Sequence, residues 1–283
     1  MTFCEPMLPE TAQRPFDDER YIFEPAIEGH RLLLSLNRGK VTLYTRHNLD
    51  VTRQYPELHN VPVFEDCDVV LDGVVARTDE DGRFDFDLLL ERFRASKSPR
   101  IREYSKTKPV HYYVFDILYY NGEDIRHRPL CERKLLLQKI LQPNPFYSVM
   151  FSAEGNGKIL FDLVRQRNLG GIVAKHKNSK YVGNRSSDWL KIINYLYVNV
   201  DLVGYRKNQF GWLAHYQGQS VGVIELSVPL VARKAFFTIA AQITCAEDRD
   251  FVYIQPHFKA QVRTRNWTRN GMLRAPEFVD FVV

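Results

Sequence analysis

The amino-acid sequence predicts an α+β chain of two units, a mixed strand-and-helix unit over residues 1–196 and a small β-barrel over 197–283. Three observations carry this. The first two thirds alternate β-branched or aromatic runs with helical patterns. The character changes near Tyr195, after which short strand-like runs dominate. Several such strands with one inserted helix, in under about 90 residues, are the habit of a closed barrel such as the OB-fold. At 283 residues, 45% hydrophobic and 26% charged, the chain can bury a substantial core. That excludes a disordered tail, a coiled coil and a disulfide-stapled mini-protein.

The elements follow in order. Tyr21 to Glu24 and Arg31 to Leu36 read as strands separated by a Gly-containing turn, and Lys40 to Thr45 follows Arg38-Gly39 as the second arm of a hairpin. Asp68 to Asp72 is a buried strand ending at Gly73, and Phe86 to Phe93 is helical. Val110 to Leu118, rich in β-branched and aromatic residues, is a strand. Arg133 to Leu141 is a helix stopped by Pro143. Ile159 to Gln166 is another, ending near Asn168 to Gly171, and Ile172 to Lys175 is a short strand. In the second unit Val198 to Tyr205, Gly222 to Val228 and Phe251 to Gln255 read as strands, with turns around Asn208 to Gly211 and a helix from Ala232 to Ile243.

Charge and cysteine usage narrow the function. Lys plus Arg is 39 against 34 acidic residues, a net charge of +5 that permits a polyanionic partner without requiring one. Basic residues cluster in three stretches, Arg94 to Lys108, Lys175 to Lys191 and Lys259 to Arg274. Such runs are either the footprint of a phosphate backbone or solvated faces. No apolar run is long enough for a transmembrane helix and no signal peptide opens the chain, so a cytoplasmic protein without membrane contact is expected. Cys4, Cys67, Cys131 and Cys245 form no C-x-x-C pair, and the eight histidines show no ligand spacing.

Short motifs in a fixed order are more specific. Glu24-Pro25-Ala26-Ile27-Glu28-Gly29-His30-Arg31 resembles the E-P-K-x-D-G-x-R motif of covalent nucleotidyltransferases, the ATP-dependent DNA ligases above all. Thr45 to Thr52 with Tyr55-Pro56-Glu57-Leu58 is similar to S-R-x-G-x-D-x-T…F-P-E-L, where Asn48 suits a left-handed turn. Leu71-Asp72-Gly73-Val74 resembles L-D-G-E, and Tyr113 to Leu118 the aromatic strand that stacks on adenine. Gly170 to Lys175 resembles E-G-I-V-x-K, and Asp188 to Ile193 resembles D-W-x-K-x-K. Arg269 to Phe278 is similar to the R-x-G-x-L-R-x-P-x-F tail of ligase OB domains.

The resemblance, collinear from about residue 5 to 281, implies a minimal two-domain ligase of bacterial or phage type. It implies a nucleotidyltransferase (adenylation) domain, ATP-grasp-like, followed by an OB-fold. It implies ATP and Mg2+ as cofactors, nicked double-stranded DNA as partner, and a monomer acting in DNA repair or replication. Glu24, Arg31, Arg46, Phe115, Lys175 and Lys191 are then the nucleotide-binding positions, and Arg46, Arg263, Arg265 and Arg269 the DNA-binding ones.

The chain departs from the family at the positions that carry the chemistry. Ala26 stands where the family has the nucleophilic lysine, and only an amine can form the lysyl–AMP bond. Glu28 replaces an aspartate, Val74 and Gly170 replace glutamates, and Ile193 replaces a lysine, while Lys175 and Lys191 remain. Carboxylates hold the metal and lysines stabilise the phosphate as charge builds, so these changes remove both functions. The expectation is a ligase-like chain deficient in self-adenylation that still binds DNA at a nick. Two alternatives stay open: an active nucleotidyltransferase with a substitute nucleophile, and a non-enzymatic interaction protein that keeps the fold.

Overall fold

The computed structural model describes residues 3–64, 67–80 and 82–282, and the chain divides after Asn194 into two compact units. In the first unit β1 (Leu8–Ala12), β2 (Asp18–Pro25), β3 (His30–Asn37), β4 (Lys40–Thr45) and β5 (Val69–Ala76) precede α1 (Phe86–Phe93) and α2 (Ser98–Thr107). Then come β6 (His111–Tyr120), β7 (Glu123–Asp124), α3 (Leu130–Ile140), β8 (Tyr147–Val149), β9 (Ala153–Gly155), α4 (Gly157–Gln166), β10 (Gly171–His176) and β11 (Arg185–Ile193).

They make two sheets. One has the order β4-β3-β5-β6-β7, with β8 running parallel beside β6. Both of its faces are covered. Leu32, Leu34, Leu71, Tyr112, Val114 and Ile117 enter the main core with Leu137 and Ile140 of α3, while Leu33, Val70, Phe115 and Leu118 enter a second cluster. That explains why these strands read as nearly continuous apolar runs rather than alternating ones. The strand expected to end at Gly73 runs on to Ala76. Gly73 is a packing glycine, not a turn: a Cβ there would lie 2.5 Å from Tyr113 O and 2.6 Å from the Tyr112 ring.

The other sheet has the order β1-β11-β10-β2-β9. Its first strand pairs parallel with the last, Leu8 opposite Arg185 and Ala12 opposite Ile192. One face carries Phe23, Ile172, Ala174 and Ile192 against Leu160 and Val164 of α4.

The second unit contains β12 (Leu196–Arg206), β13 (Trp212–Tyr216), β14 (Gln219–Ile224), α5 (Leu230–Ala240), β15 (Thr244–Glu247), β16 (Phe251–Thr264) and β17 (Glu277–Phe281). Strands β14, β13, β12 and β16 pair in succession, and β17 pairs with the second half of β16. A parallel bridge from Leu226 to Glu277 brings the chain after β14 alongside β17, closing the ring. The interior is aromatic: Trp212 is fully buried, 4.6 Å from the Phe236 ring of α5 and 5.3 Å from Phe278. The strand expected over Gly222 to Val228 stops at Ile224, because Ser227 turns the chain with a φ of 59°. The strand expected over Phe251 to Gln255 continues to Thr264. No helix of the described residues is long and apolar enough to cross a membrane.

Candidate active site

Strand alternation decides which residues can meet. In the five-stranded sheet Val173 lies opposite Glu24 and Lys191, and Lys175 opposite Ile22 and Trp189. This row faces away from α4. Gly171 pairs with Ile193, and its carbonyl accepts the Ala26 N–H at 2.8 Å. In the other sheet Arg31 lies opposite Val74, and Leu33 opposite Asp72. Trp189 of the five-stranded sheet and Met7, just before β1, share one cluster with Leu33, Val70 and Phe115 of the other sheet, so these two faces meet.

At their junction Glu24 lies between two lysines. Lys134, from α3, bonds one carboxylate oxygen, and Lys175 Nζ sits 2.6 Å from the other, close but poorly aligned for a hydrogen bond. Glu24 and Lys175 are each 2% exposed. Burial alone would raise the Glu24 pKa, but the two ammonium groups overcome it and hold the carboxyl ionised below its ordinary range. Burial pushes Lys175 down from 10.5 to about 8, although Glu24 pulls the other way. The Lys175 ammonium also stands 3.8 Å from the centre of the Phe115 ring and 4.3 Å from that of Trp189.

Arg31 is equally committed. Its guanidinium makes two bonds to Asp72, at 3.0 and 2.6 Å, and others to Met7 O at 2.6 Å and the Tyr181 hydroxyl at 3.2 Å. The Tyr181 hydroxyl donates to Asp72 at 2.7 Å. Arg31 lies 5.2 Å from the centre of the Phe115 ring, which is 7% exposed.

The corner with Ala26 is chemically plain. A Cβ on Gly170 would lie 3.5 Å from Ala26 O and 3.6 Å from Glu28 Oε1, so these three positions adjoin. Val74 packs its methyls against Gly29, where a Cβ would fall 2.5 Å from Val74 Cγ1. Glu24, Ala26, Glu28, Arg31, Val74, Phe115, Gly170, Lys175, Lys191 and Ile193 thus line the meeting faces and the chain that links them. Arg46 stands on the exposed turn after β4, 3.0 Å from His47, and Asn48 beside it takes a φ of 60°. The remaining three belong to the second unit. Arg263 is bound to Glu277 at 2.6 Å and lies over Tyr195, while Arg265 and Arg269 are exposed.

Lys134, Tyr181 and Met7 were not anticipated as members of this site. The signal for Lys134 is its place in Leu130–Ile140, where Arg133 and Lys134 interrupt the apolar face of α3 and are both buried. Arg133 is spent on Asp116, with bonds of 2.8 and 2.9 Å.

Magnesium does not fit these residues. Val74 and Gly170 offer no ligand oxygen from their side chains, and no group of three or more His, Cys, Asp or Glu suited to a metal occurs among the described residues. The Phe115 ring is flanked by Lys175 and Arg31, and Glu24 is paired with Lys134 and Lys175.

A family model of the ATP dependent DNA ligase domain matches residues 6–192. The SPbeta prophage-derived DNA ligase-like protein LigB of Bacillus subtilis (strain 168) is 37% identical over 278 residues, 98% of each chain. The multifunctional non-homologous end joining protein LigD of Mycobacterium bovis is 25% identical over 281 residues, covering 90% of this chain but 35% of that longer protein. The solved structure of a Lig E DNA ligase superposes with a TM-score of 0.68 at 15% identity, over 97% of this chain and 98% of that one, a likeness of fold.

Proposed function

The chain belongs to the ATP-dependent DNA ligase family, and from that premise we propose that it binds nicked duplex DNA without charging itself with AMP. The observation that carries this is the corner formed by Ala26, Gly170 and Glu28. The family route begins when a lysine amine attacks the α-phosphate of ATP. Position 26 holds a methyl group, so no bond to phosphorus can form there. The side chains that would gather a divalent ion next to it are a hydrogen and an isopropyl group, which leaves Glu28 as the carboxylate of that corner. No step through ATP or magnesium is assigned to these residues.

What the chain's own groups do is bind and hold. Lys97, Arg100, Arg102 and Lys106 on and beside α2, Arg46 on the β4 turn, and Arg265 and Arg269 of the second unit are exposed cations of the kind that phosphates bind.

One observation favours a second reading, a substitute nucleophile. Burial holds Lys175 at a pKa of about 8, so its amine is partly neutral at that pH. Yet the amine is 2% exposed and turned onto Phe115 and Glu24, whereas attack needs the reacting atoms about 3–3.5 Å apart and aligned.

The test uses a nicked duplex already carrying AMP on its 5′-phosphate, with magnesium, and an intact duplex as control. Selective retention of the nick without sealing is the expected result. Sealing would refute the proposal and leave a ligase whose last step survives. Equal binding to both duplexes would also refute it and leave a protein that keeps the fold alone. Label transfer from radioactive ATP to the protein would establish the second reading.

A further inference from the structure

We propose that Tyr216 and Trp267, side by side on the second unit, form a stacking platform for unpaired bases, so that this unit takes single-stranded DNA such as an overhang or a gap. The site lies wholly within that unit. It goes beyond the nick reading, which concerns a paired duplex.

Trp267 differs from the other two tryptophans of the chain. Trp189 and Trp212 are 2% and 0% exposed and belong to apolar clusters, whereas Trp267 is 36% exposed. Its ring meets that of Tyr216, also 36% exposed, with centres 5.5 Å apart and planes tilted by 52°. Neither ring enters the cluster that fills the barrel around Trp212, Phe236 and Phe278, so core packing does not account for the pair. Adjacent rings left open to water are a surface that marks a binding site, and a ring face is what a base stacks on.

The backbone holds both rings in place. Tyr216 ends β13 at a two-residue turn, where Gln217 and Gly218 both take positive φ, 51° and 80°, as a tight hairpin requires. Trp267 bridges to Leu273 across a short loop, in which Thr268 N–H donates to Met272 O at 2.8 Å. Leu273 N–H donates to Val221 O at 2.9 Å, which ties that loop to β14, the strand paired with β13. A platform ordered before binding loses little freedom when a base lands on it.

Charge selects the ligand. The stretch from Leu202 to Ile224, which carries Tyr216, contains no aspartate or glutamate, and neither does that from Lys259 to Pro276, which carries Trp267. Arg263 is held by Glu277, but Arg265 and Arg269, two residues to either side of Trp267, are exposed. A ring pair framed by cations suits a polyanion that itself carries flat rings. A duplex hides its base faces in its own stack, so an unpaired strand is the form that offers phosphates and ring faces together.

The experiment follows the tryptophan fluorescence of the full-length protein, because a base stacking on the exposed Trp267 quenches it. Three probes are titrated: oligo(dT) of about twelve nucleotides, within the span of one OB-fold, the same backbone without bases, and a blunt duplex of equal length. Oligo(dT) should quench saturably, the abasic strand should bind about 5- to 100-fold more weakly, the worth of a stacked base, and the duplex should leave the emission unchanged. Trp267→Ala should lose affinity for labelled oligo(dT) by a similar factor, read by anisotropy, and Trp267→Phe, which keeps a ring, should regain most of it. Equal affinity for oligo(dT) and the abasic strand would mean that the arginines alone hold the strand, and overturns the proposal. Quenching by the duplex as strong as by oligo(dT) overturns it too, since the rings would then face a groove. Should Trp267→Ala not fold, Tyr216→Ala is judged by the same criterion, and the abasic comparison needs no variant. A chain that prefers nicks yet ignores oligo(dT) keeps the functional proposal and loses this one.

Discussion

Replacing Lys175 by methionine is expected to stabilise the protein near neutral pH. The fall from 10.5 to about 8 is worth on the order of 3 kcal/mol. Below pH 8 the amine is charged in both states, and the folded state bears this cost in full. Between pH 8 and 10.5 the folded protein sheds the proton while the unfolded chain keeps it, so stability rises with pH in that window. The contacts with Phe115 and Trp189 return about 2 kcal/mol, and methionine fills nearly the same volume. Glu24 keeps Lys134. The balance is a gain of about 1–2 kcal/mol at pH 7, or a rise in Tm of about 2–6 °C for a unit of this size. Thermal unfolding of both proteins by circular dichroism at pH 7 and pH 9.5 measures it. The difference between them isolates Lys175 from every other titrating group, and it should shrink at the higher pH. A variant less stable than the parent by more than about 1 kcal/mol at pH 7, or a gap that ignores pH, would show that the lysine stabilises the site as a charge and refute the reasoning.

Other expectations follow from single contacts. Ala26→Lys alone should give no labelled adduct with radioactive ATP, because Val74, Gly170 and Ile193 remain; robust labelling would mean that those positions are dispensable. Arg133→Met leaves Asp116 charged and fully buried without its partner and should cost about 3–5 kcal/mol in urea unfolding. Gly171 takes a φ of 130°, and a Cβ there would fall 2.1 Å from Ile192 O. Gly171→Ala should therefore lose at least about 3 kcal/mol, or leave no soluble protein. Reversing Lys97, Arg102 and Lys106 to glutamate should lower the salt slope of duplex binding by about 2–3, near 0.9 for each phosphate no longer neutralised. Lys97→Glu adds an acid at the start of α2, where the helix dipole favours it, so weaker binding would not reflect a melted helix.

Much of the framework was legible in local pattern. Lys40 to Thr45 and Phe86 to Phe93 coincide with β4 and α1, because a Gly turn and an Asp85 cap fix their ends locally. What escaped has long-range causes. The segment Leu8–Ala12 has no strand signature; it is extended because β11 lies beside it. Strands β13, β15 and β17 are short, and the barrel's closure organises them more than their own composition does. Helix α2 was hidden by its charges, although Ile101 and Tyr104 keep a narrow apolar face. In the site, motif order located the positions that gather at the meeting faces, but not their mutual engagement. That Lys175 turns onto Phe115 depends on sheet register, and that Lys134 shares Glu24 depends on where α3 docks. Neither is written in nearby sequence.

The parallel pairing of β1 with β11 has a consequence for how the chain is made. Once β1 has left the ribosome it must wait for residues about 180 positions later before its partner β11 exists. At about 5–20 residues per second, that delay is on the order of ten to thirty-five seconds. Closing so distant a contact also makes it one of the slower events of folding. Until β11 arrives, one edge of β10 is unpaired, a row of open hydrogen-bonding groups that another chain can extend. Translation stalled before Arg185 would therefore release a fragment with most of its core and a sticky flank, the species from which aggregates of this protein should start.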